Sequence, residues 1–199
     1  MDMGAHKFAA LEWILEDEVE SVTAMLSKQV TNLAEKAEDN ALAMIRFANG
    51  AVGEIVVSFT QMAPPFNSLE IYGTRGTILE NHMWEKPVRI YSDHEAMAEH
   101  RHQWFEPEIE HAPFPGYYTI CAKYLDEYFA RCVLEDREPE FTPEKAKSAI
   151  AGVLMGYLSA QTGRAAARHD LMEVAADKGT RSLLENLTDH INTRKDLRR

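Results

Sequence analysis

The 199-residue chain has little of what marks several large classes of protein. Its two cysteines, Cys121 and Cys132, are too few for a disulfide framework, and their helical spacing predicts two reduced core residues. Positive charge is also scarce: 21 basic against 32 acidic residues give a net charge of −11, which argues against nucleic acid or an anionic membrane as the main partner. No apolar run approaches the length of about 18 residues that a membrane span needs, and no signal peptide is visible, which favours a cytoplasmic protein.

Sequence signatures of several enzyme sites are missing too. The chain has no G-x-G-x-x-G loop for a dinucleotide, no P-loop, no G-x-S-x-G elbow and no cysteine pair for zinc. His100 and His102 offer two metal ligands, but no third ligand accompanies them at a recognisable spacing, so a solvated loop is the simpler interpretation. A metal-dependent isomerase or hydrolase that uses His6 with one of these histidines stays open as an alternative.

The period of the hydrophobic residues changes twice along the chain. Residues 5–15 have helical spacing, and residues 19–92 form short apolar runs separated by turn signals such as Asn49-Gly50 and Arg75-Gly76. Residues 93–116 have no clear pattern. From Tyr117 the period is helical again, and Thr142-Pro143 has the chemistry of a helix start. This order predicts an α+β fold with an open, mostly antiparallel sheet and helices packed on one face.

Two of the predicted strands are apolar on both faces. In the run 42–47 and in the run 52–59, large apolar residues occupy alternate positions in both registers. The predicted helices can cover only one side of such a sheet. We therefore expect the other face to be available for oligomerisation, and the chain to be a homo-oligomer, with a dimer as the simplest case.

The first residues hold the most interesting polar pair. Asp2 and His6 are four positions apart, which places both on one side of a helix and within reach of each other. A carboxylate beside an imidazole orients the ring and favours its protonated form, and such a histidine can exchange a proton with a substrate hydroxyl. The alternative is a capping aspartate with a histidine on the first turn, and the spacing alone leaves both open.

Four segments in order resemble the C-terminal domain of the Gfo/Idh/MocA family of NAD(P)-dependent oxidoreductases, the glucose–fructose oxidoreductase and inositol dehydrogenase group. They are the D-x-G-x-H segment "MDMGAHKFAALEWIL", the hairpin "AEDNALAMIRFANGAVGEI", the strand pair "LEIYGTRGTIL" and the closing helices "YLDEYFARCVLEDREPEFTPEKAKSAIAGVLMGYLSAQTGRA". The resemblance covers roughly residues 1–168. It implies a domain with an open antiparallel sheet, helices on one face and an oligomer interface on the other.

The resemblance also implies roles for particular residues. His6 matches the family's acid/base histidine, and Asp2 its orienting or substrate-binding partner. Ala9 stands where the family usually has a second aspartate, which implies that one polar contact is missing. We expect the substrate wall to be formed by the end of the strand "VVSFTQ", the loop "MAPPFN" and the segment "APFPGYY", so Gln61 and Tyr117 are predicted to contact substrate.

The family's NAD or NADP is bound by an N-terminal Rossmann domain that these 199 residues lack, so the resemblance implies no cofactor bound by this chain alone. The tripeptide at Glu85-Lys86-Pro87 matches a family motif, but it lies between strands of the second domain, and Lys86 is assigned no catalytic role. We divide the chain into residues 1–170, the substrate-binding and oligomerisation domain, and residues 171–199, a helical extension with a basic tail.

The resulting hypothesis is a substrate-binding and oligomerisation domain for a sugar or cyclitol-like small molecule, present without its dinucleotide-binding domain and inactive alone. The alternative is a non-catalytic dimeric module for binding or assembly, or a partner of a separate Rossmann subunit. Neither hypothesis involves nucleic acid or a membrane.

Overall fold

The computed structural model describes residues 2–29, 37–61, 68–178 and 192–193. Four α-helices are described, α1 (Asp2–Leu15), α2 (Tyr117–Leu134), α3 (Pro143–Thr162) and α4 (Arg168–Lys178). The strands are β1 (Val19–Lys28), β2 (Asn40–Phe47), β3 (Val52–Ser58), β4 (Leu69–Gly73), β5 (Gly76–Glu80), β6 (Val88–Ser92), β7 (Trp104–Phe105), β8 (Ala166–Ala167) and β9 (Asn192–Thr193). The order of a helix, a run of strands and then helices confirms the α+β class.

The chain forms two compact units, each with its own open sheet. The first unit is Met1–Gln61 with Glu140–Arg199, and the second is Met62–Pro139. In the first unit the strand order is β3-β2-β1-β8, with antiparallel neighbours, and β9 adds a short parallel pairing to β1. In the second unit β4, β5, β6 and β7 follow one another as antiparallel neighbours.

The core of the first unit lies between the sheet and the helices α1 and α3. Alternate strand residues such as Val22, Ile45 and Ile55 are buried on the inner face, as period-2 patterning requires. Helix α3 begins at the predicted cap, where Thr142 Oγ1 accepts a hydrogen bond from Lys145 N. Gly152 allows α1 and α3 to approach, because a Cβ there would lie 2.6 Å from Phe8 Cδ1.

The outer face of the same sheet is apolar and exposed. Exposed fractions run from 44% for Leu42 to 74% for Val52, and the set comprises Met25, Leu42, Met44, Val52 and Val56. Met25, Leu42 and Val56 form one row, because they are register partners across β1, β2 and β3. The two-sided apolar pattern predicted from the sequence is present.

The second unit differs from the first, because none of its described residues belongs to the cluster of buried apolar residues that forms the core of the first unit. Helix α2 buries Cys132, whereas the other members of its apolar stripe are exposed, namely Tyr118, Cys121, Leu125 and Phe129. The prediction that Cys121 is a core residue is wrong. Helical spacing identifies an apolar stripe, but burial depends on a surface that packs against it.

Three further segments remain, and two of them lie partly or wholly outside the described residues. The stretch 93–116 contains a 3-10 helix (Glu95–His100) and β7. The polar composition of residues 31–40 predicts a loop, and the spacing of Leu184, Leu187 and Ile191 predicts a helix that begins at Thr180. Part of the first segment and all of this helix lie outside the described residues. Within the described chain, no helix is both long enough and apolar enough to cross a membrane.

Candidate functional site

Helix α1 presents His6 on its exposed side. Phe8 is buried against α3, and a residue two positions away lies about 200° around the helix axis, so His6 faces away from the core. The ring has no hydrogen-bond or ion-pair partner among the described residues. An exposed imidazole on a helix that is fixed along its opposite side is well placed to meet a ligand.

The predicted partner of His6 stays a prediction. The backbone of Asp2 opens α1, one turn before His6, but its side chain lies outside the described residues. Ala9 is partly buried on the same helix and contributes no polar group. The helical spacing that would bring the two side chains together is therefore present.

A partly buried polar network fixes the C-terminal half of α1. Glu12 Oε1 accepts hydrogen bonds from Val19 N at 3.2 Å and from Ser148 Oγ at 2.7 Å. Arg168 Nη2 in turn donates to Ser148 Oγ at 2.9 Å and lies 3.5 Å from Glu18 Oε2. The network ties α1 to β1, α3 and α4. Sequence reasoning missed it, because Glu12 and Ser148 are 136 positions apart.

A cleft of about 500 Å³ lies beside this network, but no predicted site residue lines it. Its walls are mainly acidic and aromatic, and the lining residues are Ala9, Glu12, Trp13, Glu16, Asp17, Glu18, Glu140, Phe141, Glu144, Lys145 and Ser148. The cleft is formed by the second half of α1, whereas His6 lies in the first half. It is therefore separate from the candidate site on α1.

Gln61 is the last described residue before the gap at 62–67, and it is exposed. The chain leading to it is fixed by Asp39, a buried carboxylate at the start of β2. Asp39 Oδ1 accepts from Gln29 N at 2.8 Å and from Asn40 Nδ2 at 2.7 Å, and Phe59 N donates to the Asp39 carbonyl at 2.8 Å. One buried residue therefore holds the ends of three strands where Gln61 emerges.

Tyr117 begins α2 in the second unit and sits in a cluster of rings. Its ring centroid lies 4.5 Å from that of His82 and 4.3 Å from that of Tyr118, with Phe114 at 6.2 Å. Burial, followed by a hydrogen bond with Tyr118, raises the pKa of Tyr117 above its usual range, so the phenol keeps its proton at neutral pH. His82 was not predicted; it is a lone histidine in a turn, and no spacing signal marks it.

The other residues considered from the sequence take ordinary places. His100 stacks on Phe105 at 4.2 Å, and His102 is exposed with a φ of 61°. No group of three or more His, Cys, Asp or Glu side chains suited to a metal occurs among the residues that the structure describes. Lys86 lies between β5 and β6, as expected, and pairs with Glu108 at 2.8 Å on the surface.

The first unit belongs to the class of α+β domains in which helices cover one face of an open antiparallel sheet. In the sequence comparison, residues 1–79 match the family model described as the GFO/IDH/MocA C-terminal domain. This match confirms the resemblance predicted from the D-x-G-x-H segment and the hairpin. A comparison with curated proteins gave no match.

Solved structures of oxidoreductases share the fold. GenD2 from gentamicin A biosynthesis, solved with NAD, is 25% identical with a TM-score of 0.63 over 83% of this chain and 46% of its own. The WlbA dehydrogenase from Bordetella pertussis, solved with NADH and UDP-GlcNAcA, is 25% identical with a TM-score of 0.57 over 83% of this chain and 43% of its own. Levoglucosan dehydrogenase with NADH, at 18% identity and a TM-score of 0.69 over 83% and 49%, shows the fold alone. The chain thus spans less than half the length of these relatives.

Proposed function

We propose that residues 1–170 are the substrate-binding and oligomerisation domain of an NAD(P)-dependent oxidoreductase. Its substrate is a secondary alcohol, or the matching ketone, of a sugar or cyclitol-like compound. The match of residues 1–79 to the GFO/IDH/MocA C-terminal domain carries this proposal. GenD2, solved with NAD, and WlbA, solved with NADH and UDP-GlcNAcA, support the reaction class and the substrate class.

His6 is the proposed acid/base. Its neutral imidazole accepts the proton of the substrate hydroxyl when the carbon is oxidised, and the imidazolium returns that proton in the reverse direction. Asp2 orients the ring from one turn earlier in α1. Gln61 and Tyr117 stay proposed substrate contacts, each on its own unit. The exposed side of α1 supports this assignment, because the imidazole is accessible there.

These residues do not fit a dinucleotide. The chain has no G-x-G-x-x-G, and the strands described here form no parallel strand–helix–strand unit of the kind that cradles a pyrophosphate. NAD or NADP therefore needs a dinucleotide-binding domain that these residues do not make. We propose that the 199 residues alone are inactive. A cytoplasmic location stays a prediction from the sequence.

Calorimetry tests the cofactor part. Titration of the 199-residue chain with NAD⁺ and with NADP⁺ should give no saturable heat. Micromolar binding of either dinucleotide by this chain would overturn that part of the proposal.

Histidine-detected NMR tests the substrate part. On titration with myo-inositol and with D-glucose, the ring signals of His6 should shift in a saturable way. His169 on α4 is the control, because it is also exposed and lies on a helix of the same unit. Equal small shifts of both rings would contradict a role for His6.

The alternative function is a non-catalytic dimeric module, or a subunit that pairs with a separate Rossmann protein. The apolar outer face of the first sheet favours an assembly role in either case. Co-purification with a separately encoded dinucleotide-binding protein favours a split enzyme. A stable dimer that binds neither myo-inositol nor D-glucose favours the non-catalytic module.

A further inference from the structure

The cleft of about 500 Å³ beside the Glu12 network lies wholly within the first unit, where the C-terminal half of α1 meets the start of α3. Its volume falls in the range of sites for small molecules, about 300–1,000 Å³. Several of its lining side chains are exposed to solvent, among them Trp13, Glu16 and Phe141. A ligand can therefore reach them without a change in the fold.

Two aromatic rings form the apolar part of the cleft. Trp13 is 57% exposed and Phe141 is 47% exposed, although both line a concave surface. Trp13 lies on α1, and Phe141 lies two residues before Pro143, which begins α3. Exposed rings in a concave site offer their faces to the methylene groups of a ligand or to a cation.

The polar part of the cleft is strongly acidic. Lys145 is the only basic residue among the described residues that line it, and its Nζ donates to the Glu140 carbonyl at 2.7 Å rather than to a carboxylate. Arg168, which does not line the cleft, lies 3.5 Å from Glu18 Oε2. These two cations face six lining carboxylates, those of Glu12, Glu16, Asp17, Glu18, Glu140 and Glu144. The cleft therefore has a negative potential, which attracts cations.

Glu16 contributes a carboxylate that no described residue uses. It follows Leu15, the last residue of α1, and its exposed side chain has no hydrogen-bond or ion-pair partner in the described part of the chain. The last turn of α1 contains no basic residue, so the negative end of the helix dipole adds to the charge of Glu16. In contrast, Asp17 Oδ2 accepts a hydrogen bond from Asn49 N at 2.8 Å. Glu16 is therefore available to a ligand.

The arrangement of these groups favours an organic cation over other ligands. The negative potential disfavours an anion, and a neutral polyol would leave the charge uncompensated. A metal ion needs several ligands that converge on one point, and the described carboxylates form no group of three or more that could hold one. Carboxylates spread along a cleft with aromatic walls suit an alkyl chain that carries more than one ammonium group.

We propose that this cleft binds a small linear polyamine. The ammonium groups donate hydrogen bonds to Glu16 and to neighbouring carboxylates of the cleft, and the methylene groups pack against Trp13 and Phe141. No predicted site residue lines the cleft, so the polyamine site is independent of the proposed oxidoreductase function. None of these residues is assigned a part in bond breaking.

Spermidine tests the proposal, with the indole Nε1–H signal of Trp13 in the full chain as the readout. In a titration followed by NMR, this signal should shift in a saturable way, whereas the signals of Trp84 and Trp104 in the second unit should not. Magnesium chloride at equal ionic strength is the control ligand, because it supplies positive charge without an alkyl chain. Isothermal titration calorimetry measures the dissociation constant of each variant for spermidine.

Two variants test the two parts of the cleft. Glu16→Gln should raise the dissociation constant about 3-fold or more, since a charge-assisted hydrogen bond is lost. Trp13→Leu should raise it about 2- to 5-fold, since the aromatic face is lost. Glu20→Gln on β1 is the matched control and should leave the constant unchanged, because Glu20 is exposed on the same unit but does not line the cleft. Far-UV circular dichroism checks that each variant folds.

Three results would overturn the polyamine site. If millimolar spermidine does not shift the Trp13 signal, the cleft does not bind a polyamine. If magnesium shifts this signal as strongly as spermidine does, the carboxylates attract any cation. If Glu16→Gln and Glu20→Gln weaken binding equally, or if neither Glu16→Gln nor Trp13→Leu weakens it, spermidine responds to the net charge of the chain and not to the cleft.

Discussion

Gly152 determines how closely α1 and α3 pack. A methyl group at this position meets the buried ring of Phe8 at 2.6 Å, so Gly152→Ala should destabilise the first unit by roughly 1–3 kcal/mol despite the better helix propensity of alanine. Gly4→Ala is the matched control, because its Cβ would find its nearest neighbour, Val153, at 3.8 Å. Urea unfolding followed by circular dichroism measures both. Equal stability of the two variants would contradict the close approach.

Tyr157 makes the free energy of unfolding depend on pH in the alkaline range. Burial, and then the hydrogen bond to Glu38 at 2.5 Å, raise its pKa above the usual value, so the folded state keeps the phenol proton longer than the unfolded state does. Its contribution is therefore complete below about pH 10 and declines as the pH rises further.

Tyr157→Phe should cost about 1–2 kcal/mol at neutral pH, because the hydrogen bond to Glu38 is lost. The difference from wild type should narrow above about pH 10, since the variant has no phenol to ionise at this position. Urea midpoints of both proteins across this range test the sign. A difference that grows with pH would show that the phenol is not protected in the folded state.

At the scale of the element, the two cysteines of α2 differ in their exposure to solvent. Cys121 is exposed and Cys132 is buried, so a thiol reagent should modify one equivalent rapidly in the native chain and two after unfolding in denaturant. Cys121→Ser should remove the fast phase, whereas Cys132→Ser should leave it. Two fast equivalents in the native chain would mean that Cys132 is accessible.

Elements with a local signal were predictable from the sequence. The β2–β3 hairpin follows from Asn49-Gly50, where Gly50 takes a φ of 90°, and the start of α3 follows from Thr142-Pro143. Burial was less predictable. Ile150 shares helical spacing with Val153 and Tyr157, which predicts an apolar stripe that is buried, yet Ile150 is 41% exposed.

The candidate site was predictable only where a motif carried it. His6 belongs to the D-x-G-x-H segment, and its helix could be predicted from spacing. The Glu12–Ser148 hydrogen bond and the contact of Gly152 with Phe8 join residues that are distant in sequence, so no local pattern reports them. The contact of His82 with Tyr117 also joins residues that are distant in sequence, and no local pattern predicts it.

At the scale of the whole molecule, the outer face of the first sheet is the proposed interface between two copies. Met44→Lys places a charge in the middle of this face, opposite its register partner Glu54, so the fold should tolerate it. We expect the variant to be monomeric by light scattering if the wild type is a dimer. Met172→Lys is the control, because Met172 is exposed to a similar degree, 63% against 66%. If Met44→Lys and Met172→Lys dissociate the dimer equally, or if neither does, the interface does not lie on the outer face of the first sheet.

The hydrogen bond from Ala24 N to Ser159 Oγ, at 3.0 Å, joins positions 135 residues apart, and it has a consequence during synthesis. Strands β1 to β3 leave the ribosome well before α3 exists to cover their inner face. At about 5–20 residues per second, the delay between Ser58 and Thr162 lasts roughly 5–20 s. Throughout that interval only α1 is available to cover the inner face of the three strands, so the nascent chain leaves part of that face and the whole apolar outer face exposed, which favours binding by chaperones at the ribosome.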